Sequence, residues 1–578
     1  MTSPRQLRLH RKVLSGIMLC ALLSILGGGI WDAQAQQSGS VNLKAQAGFD
    51  GYCKGDQWLP IRVEVENTGS DLNAEVQVSY KKSAGGISTT SLNIDLPATS
   101  RKEFFLYIYF PGGGYNWQLN VALLAKKQVL QQIKLPANCF SAENMIFGVL
   151  ADNPSTFDVL NDVKPLNGNV RVAQLEVSDL PDREQAWAAL DALIVSNIDT
   201  GTLTPEQKQA LKAWIAAGGK LLITGGMNWQ STAAGLNDLL PVNLTTTSRV
   251  GSLSQLQAYV KDQAPLDSEA ILATGRVRAE AQVLVYQNGV PLLVQKSMGF
   301  GAVYFFAADP ALQPLSNWNG MKDVYEHLLG SKSQVPSWAS GYWYDQRANQ
   351  ALATIPQLGL PSIFYVCGLL ALYIIVIGPL NYFVLRRIKR RELAWVTIPA
   401  LVVIFTCLAY GTGFSYRGAT PILNRLVIAQ AWEGMDHAQV RALVGIYSPI
   451  RAKYDLEASD RFLFQPLPNT EMNLQAGNNW TARQEGSSMV MPDVPLEIGG
   501  MRSIAAAGSL PALEFSHDLV ITLGKSKPVL SGRITNKSQY VLKDAFLVTS
   551  GNWMQLGTLA PGETRSASVS LATNPNGP

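Results

Sequence analysis

IFYVCGLLALYIIVIGPLNYFVL (residues 363–385), RRIKRRE (386–392) and LAWVTIPALVVIFTCLAYGTGF (393–414) follow one another without interruption. A helix needs about 20 apolar residues to cross bilayer hydrocarbon, and both flanking segments supply them. The pattern reads as two membrane helices, residues 361–385 and 393–414, joined by a tight turn at 386–392. The basic residues Arg386, Arg387, Lys389, Arg390 and Arg391, crowded into so short a loop, place that loop in the cytoplasm by the positive-inside rule. The first helix then runs inward and the second returns, so the sequence on both flanks lies outside the plasma membrane. Gly378-Pro379 and Pro399 are expected to bend their helices. Asn381 lies near the inner end of the first helix, and a transport path has almost no polar residues to follow.

The chain has 578 residues, 47% hydrophobic and 16% charged, with a mean hydropathy of +0.07. It is too apolar for a disordered chain and too polar for a many-span transporter. The net charge is +4, and the turn accounts for nearly all of it. The remainder is close to neutral and offers no broad nucleic-acid surface. There are five cysteines. Cys20 lies near the N-terminus and Cys367 and Cys407 in the membrane helices, which leaves Cys53 and Cys139 in exported sequence. Outside the cytoplasm these two can form a disulfide, worth about 4–5 kcal/mol on the chain-entropy model, or remain separate buried thiols.

Residues 1–35 read as a signal peptide: Arg5, Arg8, Arg11 and Lys12, then an apolar run from Val13 to Ile30, then the small-x-small site Ala33-Gln34-Ala35. An uncleaved anchor would leave the topology unchanged. Residues 40–142 alternate with period two. In PIRVEVENTG, Ile61, Val63 and Val65 point one way and Arg62, Glu64 and Glu66 the other. About seven such short strands predict an immunoglobulin-like β-sandwich, with the aromatics of Phe104–Phe110 in its core.

Residues 143–331 change to alternating strand and helix. MIFGVLA, VRVAQLEV, ALIVSN and KLLITGG are buried strands. Thr204 caps the helix before KLLITGG, with Pro205 at its first position and Gln207 closing a capping box. Leu211, Trp214 and Ile215 form its stripe and Gly218 ends it. LVYQNGVPLLVQ is a hairpin about Asn288-Gly289, GAVYFFAAD a further strand, and Asp323–Leu329 a last helix. Such alternation predicts a parallel sheet with helices on both faces. Residues 332–360 are a juxtamembrane linker, and 415–578 a β-rich region. Within it, Asn473–Ser488 is a polar stretch, and the part from Pro528 to Leu571 echoes the first domain, RITNKS matching VENTGS in kind.

DALIVSNIDTGTLTPEQKQALKAWIAAGGKLLITGG (191–226) and GFGAVYFFAADPALQPLSNWNG (299–320) resemble the class I glutamine amidotransferase-like superfamily, in the version found in bacterial envelope proteins that carry a membrane hairpin like GPLNYFVLRR. The resemblance implies a flavodoxin-like fold; that family has no assigned reaction. An amidotransferase site needs a cysteine on a strand-to-helix elbow and a histidine to activate it. Residues 143–335 contain no cysteine and only His327, and the elbow after ALIVSN offers Asn197, Ile198 and Asp199. No zinc, serine-hydrolase or phosphate-loop spacing occurs, and no cofactor is implied. Asp152, Asp199 and Asp309 stand at strand ends, where ligands of open α/β folds bind. Capping of helices and turns is their expected role; holding a metal or polar ligand is the alternative.

The fold expected is therefore a multidomain membrane protein: an N-terminal Ig-like β-sandwich, an α/β amidotransferase-like domain, a two-helix hairpin anchoring the parts on either side of it, and a β-rich C-terminal region with an Ig-like end. The expected role is non-enzymatic, binding or scaffolding other membrane or envelope proteins from the extracytoplasmic side of the bilayer. An envelope enzyme working at the carboxyl edge of the α/β sheet is the alternative. Convergence of the three carboxylates separates the two.

Overall fold

The structure, a computed structural model, describes residues 41–81, 86–110, 116–262, 264–334, 352, 362–417, 420–458, 462–466, 480–486, 488–523, 527–549 and 552–571. The segment 1–35, most of the linker 332–360 and half of the polar stretch Asn473–Ser488 lie outside the described residues.

The period-two segments become β1 (Val41–Ala47), β2 (Tyr52–Lys54), β3 (Gln57–Asn67), β4 (Leu72–Lys81), β5 (Ile87–Leu96), β6 (Ser100–Phe110), β7 (Asn116–Ala125) and β8 (Gln128–Phe140). A sheet ordered β1-β3-β6 packs against one that begins β2-β8-β7-β4-β5. Ile61, Val63, Val65, Val76, Val78, Leu106, Val121 and Leu123 are fully buried between them. Cys53 and Cys139 face each other across the parallel β2–β8 pair and are bonded, S–S 2.05 Å.

The aromatic run on β6 divides between two cores. Leu106 and Ile108 face the sandwich, whereas Phe105, Tyr107 and Tyr109 face a second core that includes Ile446, Phe464, Met491 and Ile504 from beyond the hairpin. A strand covered on both faces reads as a continuous apolar run rather than an alternating one.

The middle of the chain forms β9 (Met145–Ala151), β10 (Val170–Gln174), β11 (Ala192–Ser196), β12 (Lys220–Thr224), β13 (Val242–Val250), β14 (Ala270–Val277), β15 (Ala281–Gln287), β16 (Val290–Met298) and β17 (Gly301–Phe306). Seven of these make a sheet ordered β10-β9-β11-β12-β17-β16-β15, parallel through β17 and antiparallel beyond. Helix α1 (Pro205–Ala216) starts with the capping box: Thr204 Oγ1 accepts from Gln207 N at 3.2 Å and Gln207 Oε1 from Thr204 N at 3.0 Å. Helix α2 (Met321–Leu329) closes the domain. The expectation of helices throughout the crossovers holds only in part. Those on either side of β10 contain 3-10 turns, Pro154–Asp162 and Glu184–Ala189. Proline at the start of the first turn is compatible with a helix start, but the segments are short. The pair β13–β14 forms a separate antiparallel ribbon.

Two long apolar helices follow, α3 (Ile363–Arg387) and α4 (Ala394–Arg417). The first spans 25 residues at mean hydropathy 2.4, and the second apolar stretch, Arg391–Gly413, spans 23 residues at 2.1; neither is buried. At 1.5 Å per residue each exceeds the roughly 30 Å of bilayer hydrocarbon. Tyr373 meets Phe405 edge-on at 5.2 Å between the helices. Pro379 sits in a π turn, Val376–Leu380, which accommodates its missing N–H. Lys389 takes the left-handed conformation that reverses the chain.

After the hairpin come β18 (Ile422–Gln430), β19 (His437–Tyr447), β20 (Ala452–Ala458), β21 (Leu463–Pro466), β22 (Trp480–Glu485), β23 (Ser488–Leu496) and β24 (Met501–Pro511). One sheet is ordered β18-β19-β24-β21. The other three strands continue the first domain's sheet, which runs β2-β8-β7-β4-β5-β22-β23-β20. The join is parallel, Trp480 opposite Ser88 through Gln484 opposite Leu92. Where the sequence implies two parts held side by side by the hairpin, a single sheet runs through both. The strand that makes the join, WTARQE, lies in the polar stretch Asn473–Ser488. Main-chain hydrogen bonds at a sheet edge make no demand on side-chain polarity.

The terminal module contains β25 (Phe515–His517), β26 (Val520–Leu523), β27 (Pro528–Asn536), β28 (Leu542–Thr549), β29 (Asn552–Leu559) and β30 (Thr564–Ser570). It shares one local arrangement with the first domain. Asn67 and Asn536 are each 1% exposed. Asn67 Nδ2 donates to Ser70 O, Leu96 O and Pro97 O, and Asn536 Nδ2 to Tyr540 O and Leu559 O. Each Oδ1 accepts a backbone N–H two residues on.

Candidate functional site

The parallel strands end in four loops that meet. Asp152 follows β9 and accepts a hydrogen bond from Asn197 Nδ2. Asn197 follows β11 in the left-handed conformation, φ 52°, which asparagine tolerates better than most residues. Its Oδ1 accepts from Asn228 Nδ2 at 2.6 Å. Asn228 lies just beyond Gly225-Gly226, whose N–H groups donate to Phe306 O and Ala307 O at 2.7 and 3.1 Å. Gly226 has φ +102°, and a Cβ there would stand 2.8 Å from Asp309 Cβ, so only glycine lets this loop approach. Beneath them Thr224 Oγ1 donates to Ser196 Oγ at 2.7 Å, both buried.

Asp309 follows β17 and is half-buried. Its Oδ1 accepts from Ala311 N at 2.8 Å. Burial pushes its pKa up, the Ala311 N–H opposes that, and the negative charge of Asp152 adds to the rise. Tyr325, on α2, is 1% exposed, and its hydroxyl has no hydrogen-bond partner among the described residues. Burial raises the Tyr325 pKa well above the usual phenol value, and the charge of Asp309 raises it further. Beside Asp309 opens a cleft of about 240 Å3, walled by Ala270, Ile271, Leu312, Leu315 and the Arg249–Glu269 pair, 3.6 Å apart.

Of the three carboxylates singled out in the sequence, the structure brings Asp152 and Asp309 within electrostatic reach of each other. Asp199 instead caps a 3-10 turn, its Oδ1 accepting from Gly201 N at 2.8 Å. Among the described residues neither Asp152 nor Asp309 makes an ion pair, and no group of three or more His, Cys, Asp or Glu is placed to hold a metal. His327 lies on the exposed side of α2, its ring 5.6 Å from Tyr259. Sequence reading passed over Asn228 and Tyr325. TGG after a buried strand signals the first; Tyr325 looks like one more apolar helix position.

The opposite end of the sheet is occupied. Lys54 Nζ, from β2, donates at 2.5 Å to Asp191 Oδ2, which also accepts from Ile146 N at 2.8 Å. Burial lowers the Lys54 pKa and Asp191 opposes that. Lys220 Nζ donates to Leu328 O and Ser331 O at 2.9 and 2.7 Å; burial lowers its pKa to about 8. Gln439 Nε2 donates to Ala213 O at 3.2 Å, and Phe300 meets Trp432 edge-on at 6.1 Å. Where the three domains meet, Tyr107 donates to Asp182 and lies under the Arg183 guanidinium, 5.7 Å from ring centre to Cζ. Burial pushes Glu184 up to about 8, with Arg441 partly offsetting it.

Three family models match the chain, each described as a domain of unknown function: DUF8726 over residues 40–137, DUF7408 over 167–310 and DUF8725 over 516–577. No curated protein matches. Among solved structures, a cytoplasmic protein from Salmonella typhimurium LT2 is 17% identical, with 37% of this chain aligned to 95% of that one at a TM-score of 0.26. A second cytoplasmic protein from Salmonella typhimurium is 15% identical over 38% of this chain and 97% of its own, also at 0.26. The CARDB domain of a Pyrococcus furiosus protein is 12% identical over 18% of this chain and 90% of its own, at 0.14. Scores this low carry no argument about function.

Proposed function

We propose that the chain is a non-enzymatic envelope protein, anchored in the plasma membrane by the α3–α4 hairpin, that binds or scaffolds other membrane or envelope proteins through extracytoplasmic domains. The observation that carries this reading is the β5–β22 pairing. Residues from before and after the hairpin share one sheet while the apolar surface of the hairpin is unburied. A chain that leaves a sheet, crosses a bilayer twice and returns to the same sheet has this form. The basic turn, with Arg386, Arg387, Lys389, Arg390 and Arg391, supports a cytoplasmic placement for the loop. Two packed β-sheets support an Ig-like class for the first domain. The order of its five parallel strands, second-first-third-fourth-fifth in chain order, supports a flavodoxin-like, amidotransferase-like class for the α/β domain. Its third strand ends at Asn197 rather than cysteine, which favours binding over amidotransferase chemistry.

Crosslinking in intact membranes followed by pull-down tests the scaffold role; recovery of the chain alone, under conditions that trap known neighbours, would remove it. A single cysteine at Lys389 should react with membrane-impermeant maleimide only after the membrane is opened. Labelling in sealed cells would overturn the topology. The meeting of the loops that carry Asp152 and Asp309, through Asn197, Asn228 and Gly226, favours one second reading, a ligand-handling α/β domain within the same anchored assembly.

A further inference from the structure

We propose that the turn of the membrane hairpin binds an anionic phospholipid, whose phosphate is held by the arginines that close α3 and open α4. This rests on the membrane-hairpin reading and adds to it a ligand of stated chemistry. Helix α3 ends on Arg386 and Arg387, Lys389 reverses the chain, and Arg390 and Arg391 lead into α4. All five side chains are exposed, and among the described residues none makes an ion pair. Glu392 is the single acid beside them. Like charges crowded together repel until a counter-charge arrives. The guanidinium fork of arginine matches the oxygens of a phosphate. Arg391 Cζ lies 5.8 Å from the Tyr382 ring centre, which ties the start of the second helix back to the first and keeps the two basic pairs together.

Depth along the helices decides which anion fits. Tyr382 stands four residues before Arg386, and Trp395 four residues after Arg391, about 6 Å along each helix. Both rings are exposed, as in the aromatic belts that mark a membrane–water boundary. The arginines stand one helical turn beyond that belt, in the layer of lipid phosphates. Ile388 and Leu393, interleaved with the charged residues, are exposed as well and hold the turn against the bilayer. The connection between the helices, residues 388–393, is too short to lift the charges to an acidic protein beyond the headgroups. A soluble phosphate would answer the arginines and leave Ile388, Leu393 and Trp395 in water. A phospholipid answers both, with its phosphate at the turn and its acyl chains along α3 and α4.

The test uses the full chain purified in a neutral detergent, mixed with equal amounts of phosphatidylglycerol and phosphatidylcholine. Retained lipid is read by native mass spectrometry. Phosphatidylglycerol should be retained over phosphatidylcholine by about tenfold or more, since each basic residue at an anionic membrane surface contributes roughly fivefold. Replacing two arginines together, Arg390→Gln with Arg391→Gln, should remove most of that preference. Arg249→Gln, an exposed change in the α/β domain, should leave it intact. Free glycerol phosphate and polyglutamate should not displace the lipid at equal concentration. Should the double variant fail to fold, the parent protein decides: its preference should fall as salt rises from about 0.05 to 0.5 M, where screening shortens the reach of the charges. Equal retention of the two lipids, a preference insensitive to both the double variant and salt, or displacement by either soluble anion would each overturn the proposal. An equal retention of lipids with Lys389→Cys protected in sealed cells would sink this inference and leave the topology standing. Labelling of that cysteine from outside, with the lipid preference intact, would remove the cytoplasmic placement alone.

Discussion

The two ends of the α/β sheet are built from similar residues and treat them oppositely. At the amino end, Asp191 receives Lys54 and a backbone N–H, and Lys220 donates to two carbonyls, so buried charge there is matched within the chain. At the carboxyl end, burial and the charge of Asp152 raise the Asp309 pKa, and the Tyr325 hydroxyl has no hydrogen-bond partner among the described residues. Buried polar groups are normally satisfied, and this comparison separates polar residues that hold domains together from those left for something else. The first domain and the post-hairpin strands dock around the matched end. No hydrogen bond or ion pair ties Asp152, Asn197, Asn228 or Asp309 to another domain among the described residues.

The largest expected effect lies at the matched end. Cys53 precedes Lys54, and its bond to Cys139 closes a loop with a sequence separation of 86. Replacing both cysteines by serine should cost about 4–5 kcal/mol on the chain-entropy model, read as a lowered denaturation midpoint without reductant; parent and variant should converge when reductant is added. An unchanged midpoint would mean that the bond constrains nothing in the unfolded chain. Lys54→Met should cost about 3 kcal/mol, near the lower limit for breaking a buried pair, because Lys332 Nζ lies 3.8 Å from the other Asp191 oxygen. A loss below about 1 kcal/mol would show the pair to be dispensable and weaken the contrast between the two ends.

Glu184 gives the comparison a pH axis. Its pKa is raised in the fold from 4.5 to about 8, so the folded state binds the proton more tightly than the unfolded one. Stability from this group is fully present below about pH 4.5 and falls as pH rises toward 8. Glu184→Gln should therefore be nearly neutral at pH 5 and stabilising at pH 8, by on the order of 2 kcal/mol. Equal melting temperatures for the two proteins at both pH values would contradict the assignment. The smallest effect belongs to the open end. Asp309→Asn removes one of two repelling carboxylates while an amide oxygen can still accept from Ala311 N. Its stability should stay within about 0.5 kcal/mol of the parent, as at sites outside the packed core. A large loss in chemical denaturation would make Asp309 a structural residue and remove the contrast.

Much of this molecule is written locally. The Thr204-Pro205-Gln207 helix start, the Asn288-Gly289 hairpin, the alternation about Ile61, Val63 and Val65 and the two apolar helices each depend on residues close in sequence, whose capping, turn and burial preferences act over one or two turns of chain. The site was legible in part: Asp152 and Asp309 stood at strand ends, but so did Asp199, and nothing in the string distinguishes a carboxylate that caps its own turn from one that faces a distant neighbour. Tertiary structure made that distinction, because it depends on which loops the strand order β9-β11-β12-β17 sets side by side. It also decided the join of β5 to β22, nearly four hundred residues apart in sequence. Backbone hydrogen bonds carry that join, and they leave no side-chain signature for a sequence to display.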